Sequence, residues 1–392
     1  MHSILKRAKE IEKEIIGIRR AIHKNAEINS NLKVTAEFVK KKLTEINCEN
    51  EEISECGITA VIGNSNKGKT ILLRADMDAL PMKEDNNLEY KSVTDYSHCC
   101  GHDMHTAMLL GAAKILKEIE NDLNGAVKLM FQPDEEGGTG AKKMLDAGLL
   151  NSPIPKAALA LHVDAKRPLN HLDYGIGCTF SSNDNFEIIV TGKGGHGARP
   201  HESIDPINIA CHINLALQTL ICRELNPAKT VILTISSIDA GSSFNIIPDK
   251  AILKGSLRTY DNEQRAYNIK RIDEICKLTA KAFKGEAKLI IHSSVPVLYC
   301  NRELTKEILK YSEEIFDIDK INSNPIVRMG SEDFSFISEK IKSSYLFIGA
   351  GVDEQNGSEY GQHSPKVIFN EDILYRGAAL LAHCACMWLQ NN

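Results

Sequence analysis

The chain has 392 residues, more than one hydrophobic core usually serves, so two domains are expected. A hydrophobic content of 43% and a charged content of 25% are typical of a globular protein, and a formal charge of −5 without any block of basic residues argues against nucleic acid as a partner. No apolar run approaches the roughly 18 residues that cross a bilayer, no signal peptide is recognisable, and eleven cysteines without regular spacing favour reduced thiols, so we expect no membrane association and a cytoplasmic location.

The first part of the chain alternates predicted helices and strands. Helices are recognised by apolar residues at a helical period, and strands by short apolar runs bounded by turn residues. Such alternation predicts an α/β fold in which helices cover both faces of a sheet. In chain order the elements are helices at 3–24 and 35–46, strands at 60–62 and 70–74, a helix at 105–119, a strand at 126–131, a helix at 140–147 and a strand at 157–162.

The pattern changes near residue 180 and changes back near residue 300. Between them the predicted order is strand, helix, strand, strand, helix, strand, which is the order of a ferredoxin-like split βαβ unit. The sequence therefore predicts an α+β domain at 180–294, inserted between the two parts of an α/β domain with a mixed sheet, at 1–179 and 295–392. The remaining elements are strands at 186–191, 230–236, 252–259, 287–299 and 345–349, and helices at 205–224, 262–284, 302–315 and 371–389.

Three adjacent carboxylates, Asp134, Glu135 and Glu136, follow the predicted strand at 126–131. Adjacent carboxylates repel one another, so folding gains nothing from crowding them unless a cation lies among them. If Glu136 binds a metal ion, the neighbouring Glu135 remains available to take the proton of an attacking water and to pass it to a leaving nitrogen. The alternative is that Glu135 is a second ligand or an exposed charge.

Softer metal ligands occur elsewhere on loops and at strand ends. Each of them alone is more often a buried thiol or a surface imidazole, but together they follow successive predicted strands, where an open α/β sheet builds its sites. A thiolate combined with imidazoles and carboxylates favours zinc, manganese, nickel or cobalt over calcium and magnesium, and a pair of divalent ions is a common hydrolytic design. The candidate ligands are Cys100, His102, His162 and His363, in addition to Glu136.

Two further aspartates, Asp76 and Asp78, follow the predicted strand at 70–74. An aspartate at this point can accept a hydrogen bond from a ligand imidazole and so orient it. A loop start with local hydrogen bonds is an equally open alternative.

The predicted inserted domain presents a glycine-rich turn at 192–201 that lacks the order of a nucleotide-binding loop. His196 in this turn could donate a hydrogen bond to a developing oxyanion. Asn245 and Arg258 are candidates for binding a substrate carboxylate, and each is otherwise an ordinary turn or surface residue.

Eight motifs occur in the order of the M20 metallopeptidase family, and the chain most resembles its aminoacylase, hippurate hydrolase and auxin-conjugate hydrolase subgroup. The resemblance extends from Arg19 to the last predicted helix. The motifs are RADMDALPM (74–82), CGHDMHTAMLLGAA (100–113), FQPDEEGG (131–138), LHV (161–163), GKGGHGARPH (192–201), NIIPD (245–249), GSEDFS (330–335) and GQHSP (361–365).

This resemblance implies a catalytic domain that binds two metal ions and an inserted lid domain through which family members often dimerise. His196 resembles the lid histidine that reaches a substrate, in some relatives from the partner subunit, and Asn245 and Arg258 correspond to residues that handle the substrate's carboxylate. The implied metal contacts come from Cys100, His102, Glu136, His162 and His363, with Glu135 as general base.

A few positions depart from the family pattern. Asp78 matches an aspartate that orients a ligand in relatives with a His-x-Asp motif, whereas Asp76 stands where those relatives have a histidine ligand. Asp134 replaces a commoner alanine and is assigned no role. His23 lies in a segment that lacks the family's usual proline, and it is assigned no role either.

The sequence therefore predicts a metal-dependent amidohydrolase that acts on small-molecule N-acyl-L-amino acids, uses two divalent ions (Mn, Zn, Ni or Co) and forms a homodimer. Among enzymes, the alternative is a dipeptidase or aminopeptidase, which needs a site for a free α-amine. Outside enzymes, the alternative is a non-catalytic metal- or ligand-binding homologue. The intact Glu135–Glu136 pair argues against the latter, because binding alone does not require a spare base.

Overall fold

The computed structural model describes residues 2–353 and 357–392. The chain forms two compact units. The first unit comprises the chain up to Gly177 together with Tyr299–Val327 and Asp333–Asn392, and the second comprises Cys178–Leu298 and Arg328–Glu332.

The strands are numbered in chain order. They are β1 (Asn50–Ser54), β2 (Gly57–Gly63), β3 (Thr70–Asp76), β4 (Ala126–Gln132), β5 (Ala157–Asp164), β6 (Leu172–Tyr174), β7 (Gly177–Phe180), β8 (Asn183–Thr191), β9 (Gly195–His196), β10 (Val231–Ala240), β11 (Ile246–Ile247), β12 (Lys250–Thr259), β13 (Glu286–Val295), β14 (Leu298–Cys300) and β15 (Lys342–Gly349).

The helices are numbered in the same way. They are α1 (His2–Glu10), α2 (Glu12–Lys24), α3 (Lys33–Glu45), α4 (His102–Glu118), α5 (Gly140–Asp146), α6 (Pro206–Thr219), α7 (Asn262–Ala282), α8 (Arg302–Ser312), α9 (Ser335–Ser338) and α10 (Leu374–Asn391).

The first unit is built on a seven-stranded mixed sheet with the order β1-β2-β4-β3-β5-β15-β6. The four strands β4, β3, β5 and β15 are parallel, and the pairs at both edges are antiparallel. Every residue of β3 and β4 is buried, which requires packing on both faces of the sheet. Helices α4 and α10 pack against each other and against β3. The predicted mixed sheet with flanking helices is confirmed.

The chain order of the parallel strands creates a crevice at their carboxyl ends. Strand β3 leads through α4 to β4 on one side, and β4 leads through α5 to β5 on the other side of β3. Neighbouring connections that diverge in this way leave room for a site beyond the strand ends. Consistent with this divergence, the pairing of β3 with β5 ends at Arg74 and Ala160, before either strand ends.

The second unit contains a four-stranded antiparallel sheet with the order β10-β12-β8-β13. Helices α6 and α7 follow β8 and β12 and pack against each other and against the sheet. Ile188, Ile209 and Ile272 belong to the buried core that the strands and both helices share. The strand order and connections are those of a split βαβ unit.

Several helix and strand boundaries in the structure differ from the predicted ones. The helix predicted at 3–24 is interrupted at Ile11, between α1 and α2. The strand predicted at 287–299 ends at Val295, because Pro296 cannot donate a ladder hydrogen bond, and β14 begins at Leu298. Helix α4 begins at His102 rather than at 105. None of the helices in residues 2–353 and 357–392 is both long and apolar enough to cross a membrane.

Candidate metal centre

A glycine in the left-handed backbone conformation separates the first two predicted ligands. Gly101 has a φ of 96° and immediately precedes α4, so Cys100 lies on the loop and His102 is the first residue of the helix. A Cβ at this position would lie 2.4 Å from Cγ2 of Val163. Glycine is therefore required here both for its backbone conformation and for the close approach of β5.

The five predicted ligands converge at the carboxyl ends of β3, β4 and β5. Cys100 Sγ lies 3.5 Å from His162 Nε2, and Glu136 Oε1 lies 3.4 Å from His363 Nε2 and 3.9 Å from His102 Nε2. Within each of the groups Cys100–His102–His162 and Cys100–Glu136–His363, all the ligand atoms lie within 4.8 Å of one another. One thiol, three imidazoles and one carboxylate therefore surround a common space.

The donor chemistry fits a divalent metal ion. His102 Nε2 is buried and forms no hydrogen bond with any residue that the structure describes. Burial, followed by the charges of Glu136 and Glu135, raises the pKa of the Cys100 thiol well above its usual value. A metal ion would satisfy the unpaired imidazole nitrogen and would stabilise the thiolate.

Hydrogen bonds at the opposite ring nitrogens fix the orientation of two ligand imidazoles. His102 Nδ1 lies 3.2 Å from Asp78 Oδ1, and His162 Nδ1 lies 2.6 Å from the carbonyl oxygen of Val163. Because a carboxylate or carbonyl oxygen accepts, Nδ1 carries a proton in both rings, which leaves Nε2 as the nitrogen that a metal ion would bind. Asp78 Oδ2 also accepts the N–H of Glu136, 3.1 Å away, so Asp78 contacts two ligand residues.

The structure places Glu135 beside the ligands. Its Oε2 atom lies 4.0 Å from His102 Nε2, and the ligand atoms of His102, Glu135 and Glu136 lie within 4.8 Å of one another. A carboxylate in this position can reach the same space as the ligands. The geometry permits both alternatives for Glu135, a base or a further ligand.

Asp134 turns the chain that carries these glutamates. It has a φ of 56°, and its side chain accepts hydrogen bonds from the hydroxyl of Thr139 and from Lys143 Nζ. Its carbonyl accepts the N–H groups of Thr139 and Gly140. The residue left without a role by the sequence therefore holds the loop in shape, since aspartate tolerates the left-handed region better than most residues.

His105 is a residue of the centre that sequence reasoning missed. It lies one turn after His102 on α4, and its Nδ1 lies 2.5 Å from Asp76 Oδ1. Asp76 Oδ2 in turn accepts from the fully buried Arg74, 2.7 Å away. The spacing of three residues within a helix, which places two side chains on one face, was the available signal.

A second buried network lies on the other side of the start of α4. Asp103 Oδ2 lies 2.6 Å from Arg19 Nε and 2.8 Å from His23 Nδ1, and His23 Nε2 lies 2.9 Å from Glu84 Oε1. Burial alone would raise the pKa of Glu84, but the bond and charge of His23 and the N–H of Ser92 outweigh it and lower the pKa to about 2. His23, which the sequence left without a role, links α2 to the loop before α4.

The three remaining predicted residues lie in the second unit. His196 pairs with Ile246 in the ribbon of β9 and β11, and its Nδ1 accepts the N–H of Ala198, 3.1 Å away. The carbonyl of Asn245 accepts the N–H of Gly197 at 2.8 Å, and Arg258 donates to the carbonyl of Met329 at 3.1 Å. Participation of His196, Asn245 and Arg258 in the site stays a prediction.

Comparisons with known proteins agree with a hydrolytic centre. The family profile described as Peptidase family M20/M25/M40 matches residues 72–386. The chain is 38% identical over 386 residues to thermostable carboxypeptidase 2 of Saccharolobus solfataricus, with 96% of this chain and 95% of that protein covered. It is 37% identical to hippurate hydrolase of Campylobacter jejuni, with 97% and 98% covered. It also resembles the solved Bacillus subtilis YXEP protein, a dinuclear metal binding peptidase from the M20 family, with a TM-score of 0.83, 28% identity and 98% and 100% coverage.

Gly101→Ala should disturb the centre and the fold together. The new Cβ would lie 2.4 Å from Val163 Cγ2 on a backbone with a φ of 96°, so we expect a loss of about 1–3 kcal/mol in the free energy of unfolding and weaker zinc binding. Denaturant titration and metal analysis after dialysis measure both. Gly17→Ala is the control: its Cβ would meet nothing within 4 Å in α2, so it should stabilise by about 0.5–1 kcal/mol. Wild-type stability and metal content in Gly101→Ala would contradict the requirement for glycine.

The pairing of Glu84 with His23 should make the free energy of unfolding fall as the medium becomes acidic. Because folding lowers the pKa of Glu84 from 4.5 to about 2, its contribution is complete above pH 4.5 and is lost as the pH falls towards 2. His23 must be protonated to supply its charge, and its pKa is raised above 6.5, so the stability deficit of Glu84→Gln relative to wild type should be largest between pH 4.5 and 6.5 and should shrink below pH 4.5. Urea titrations between pH 7 and 3 test this, with the exposed Glu55→Gln as control. A deficit that stays constant over that range would refute the assignment.

Proposed function

The chain belongs to peptidase family M20/M25/M40 and is a hydrolase, and we propose that it hydrolyses the amide bond of N-acyl-L-amino acids, releasing a carboxylic acid and a free amino acid. The observation that carries the proposal is the convergence of five metal-ligand side chains with one additional carboxylate, that of Glu135. The similarity to a hippurate hydrolase over nearly the whole of both chains supports an N-acyl amino acid as the substrate class.

We assign two divalent ions, of manganese, zinc, nickel or cobalt, to this centre. When bound, such ions act as Lewis acids that polarise the amide carbonyl and lower the pKa of water to about 7. The mixture of thiol, imidazole and carboxylate donors supports this choice of metals over calcium or magnesium. The residues that would hold the ions are Cys100, His102, Glu136, His162 and His363.

Glu135 is the proposed general base. Its carboxylate takes the proton of the water that attacks the amide carbonyl, and it then donates this proton to the leaving nitrogen. Glu136 is the ligand of the pair, because Asp78 holds its N–H and His363 lies 3.4 Å from its carboxylate. Adjacent residues therefore divide the two tasks of metal binding and proton transfer.

We propose that the second unit is the lid of the catalytic domain. His196 would donate a hydrogen bond to the oxyanion that develops on the attacked carbonyl, either within one subunit or from its partner. Asn245 and Arg258 would bind the carboxylate of the amino-acid product. The pairing of β9 with β11, which brings His196 next to Ile246, supports a shared task for His196 and Asn245.

A second copy of the chain is the proposed partner of the second unit. In the described residues β10 is one of the two edge strands of its sheet, and its Ile232 and Ile238 are 40% and 44% exposed. A long edge strand with exposed apolar side chains is a template for pairing unless something covers it. Sedimentation of wild type and Ile238→Lys tests this: a monomeric wild type would exclude the dimer, and a wild-type dimer that Ile238→Lys leaves intact would exclude this edge.

We propose a cytoplasmic location on the basis of cysteine usage. In the described residues all eleven cysteines are free. Unpaired thiols in this number are typical of a reducing compartment. Recovery of the protein from the extracellular fraction of its source cells would exclude this location.

The alternative within enzymes is a dipeptidase or aminopeptidase, and the similarity to a carboxypeptidase over most of both chains supports peptide-bond hydrolysis only in general. An aminopeptidase or dipeptidase recognises a free α-amine, whereas an N-acyl-amino-acid hydrolase does not. A non-catalytic metal-binding homologue is the remaining alternative. Mass spectrometry of reactions with acetylated and benzoylated amino acids and with free dipeptides, in the presence of Mn, Co, Zn or Ni, separates the three, since the last releases no product from any of them.

Glu135→Gln should lower kcat for the best N-acyl substrate by about 10²–10⁴-fold, because the glutamine side-chain amide cannot take the proton of the attacking water. Its metal content should stay near that of wild type. Cys100→Ala is the matched contrast and should lose bound metal in elemental analysis. Retained turnover in Glu135→Gln would exclude Glu135 as the base, and unchanged metal content in Cys100→Ala would exclude the thiol as a ligand.

A further inference from the structure

Val163 on β5 lies beyond the last pairing between β5 and β3. That pairing ends at Arg74 and Ala160, although β5 continues to Asp164. Val163 is fully buried, and a buried peptide group without a partner costs about 1–3 kcal/mol. The polar atoms that would have bonded to β3 therefore need partners from side chains.

Side chains from three separate segments supply these partners. The N–H of Val163 donates to His105 Nε2 at 2.9 Å. Its carbonyl oxygen accepts from His162 Nδ1 at 2.6 Å and from Gln362 Nε2 at 2.7 Å. The N–H and the carbonyl oxygen of this one residue, which belong to successive peptide groups, thus connect helix α4, strand β5 and the loop that carries His363.

The proton positions in this chain of bonds are determined. His105 Nε2 accepts an N–H, so the ring proton of the neutral imidazole lies on Nδ1, from which it is donated to Asp76. Asp76 is itself held by the buried guanidinium of Arg74. The position of the His105 ring is therefore fixed from both sides.

The rings of His105 and His162 also touch. Their centroids lie 4.5 Å apart and their planes are inclined by 66°, an edge-to-face contact. His162 Nε2 faces Cys100 Sγ at 3.5 Å. Movement of the Val163 backbone or of the His105 ring would therefore rotate Nε2 of His162 away from the thiol.

We propose that His105 is a positioning residue: by accepting the N–H of Val163 it holds this residue in place, and it thereby keeps the Nε2 atom of His162 directed at the metal ions. Gln362, next to His363 in the chain, donates a hydrogen bond to the carbonyl oxygen of Val163. The inference rests on the metal centre of the proposed function but not on the identity of the substrate. His105 itself is already occupied at both nitrogens and is not a ligand.

Two substitutions separate the two bonds of His105. His105→Asn places an amide near the former Nδ1, so it can keep the bond to Asp76 but leaves the Val163 N–H unpaired. His105→Gln places its amide near the former Nε2, so it can accept from Val163. We expect His105→Asn to weaken zinc binding by about 10–100-fold, the usual effect of removing a group that orients a metal ligand, and His105→Gln to retain most of the affinity.

Zinc affinity is measured by competition with a chromophoric chelator, and ¹⁵N shifts of His162 in the metal-free protein report which ring nitrogen carries the proton. In His105→Asn the preference for Nδ1–H should weaken, and in His105→Gln it should persist. Denaturant titration of both variants gives their loss in the free energy of unfolding. His383→Asn, which removes a buried imidazole remote from the centre, is the control for the loss that any such removal causes.

The relative zinc affinities of His105→Asn and His105→Gln decide whether the proposal holds. Equal zinc affinity of Asn and Gln variants, weaker binding by the Gln variant, or a loss in His383→Asn as large as in His105→Asn would each overturn it. A wild-type protein that binds no zinc, manganese, cobalt or nickel would instead overturn the metal centre of the proposed function, so the two failures are distinguishable.

Discussion

The metal centre depends on burying several aspartates without leaving their charges unpaired. Transfer of an isolated carboxylate into a protein interior costs several kcal/mol, so each one must have a cation or N–H donors. Each of these aspartates accepts from a histidine, and each therefore also fixes the orientation of a ring. The pairs are Asp76 with Arg74 and His105, Asp78 with His102 and the Glu136 N–H, and Asp103 with Arg19 and His23.

The sequence predicted which candidate ligands converge better than it predicted the residues that support them. The convergence of Cys100, His102 and Glu136 could be predicted because reactive side chains that follow successive apolar strands meet at one edge of a parallel sheet. The contacts of His105 could not be predicted in this way. They depend on where the pairing of β3 and β5 stops, and that register is determined by the packing of the whole sheet rather than by any local pattern.

The mixed α/β fold followed from the alternation of apolar strands and amphipathic helices. Boundaries were less predictable where one backbone property overrides periodicity. Gly101 starts α4 earlier than the apolar pattern does, and Pro296 ends a strand whose alternation continues. Strand β1, with the sequence NEEIS, lies at an edge and is half-exposed, so it has no buried stripe to mark it.

The order in which the ligands occur along the chain has a consequence for biosynthesis. Cys100, His102, Glu136 and His162 precede Cys178–Leu298, whereas His363 follows it. During synthesis from the N-terminus, four of the predicted ligands have left the ribosome while the fifth is still to be translated. A nascent chain can therefore bind metal only at an incomplete centre, and complete loading belongs to the finished polypeptide. Metal binding would then stabilise the association of the first unit's N-terminal segment with its C-terminal segments.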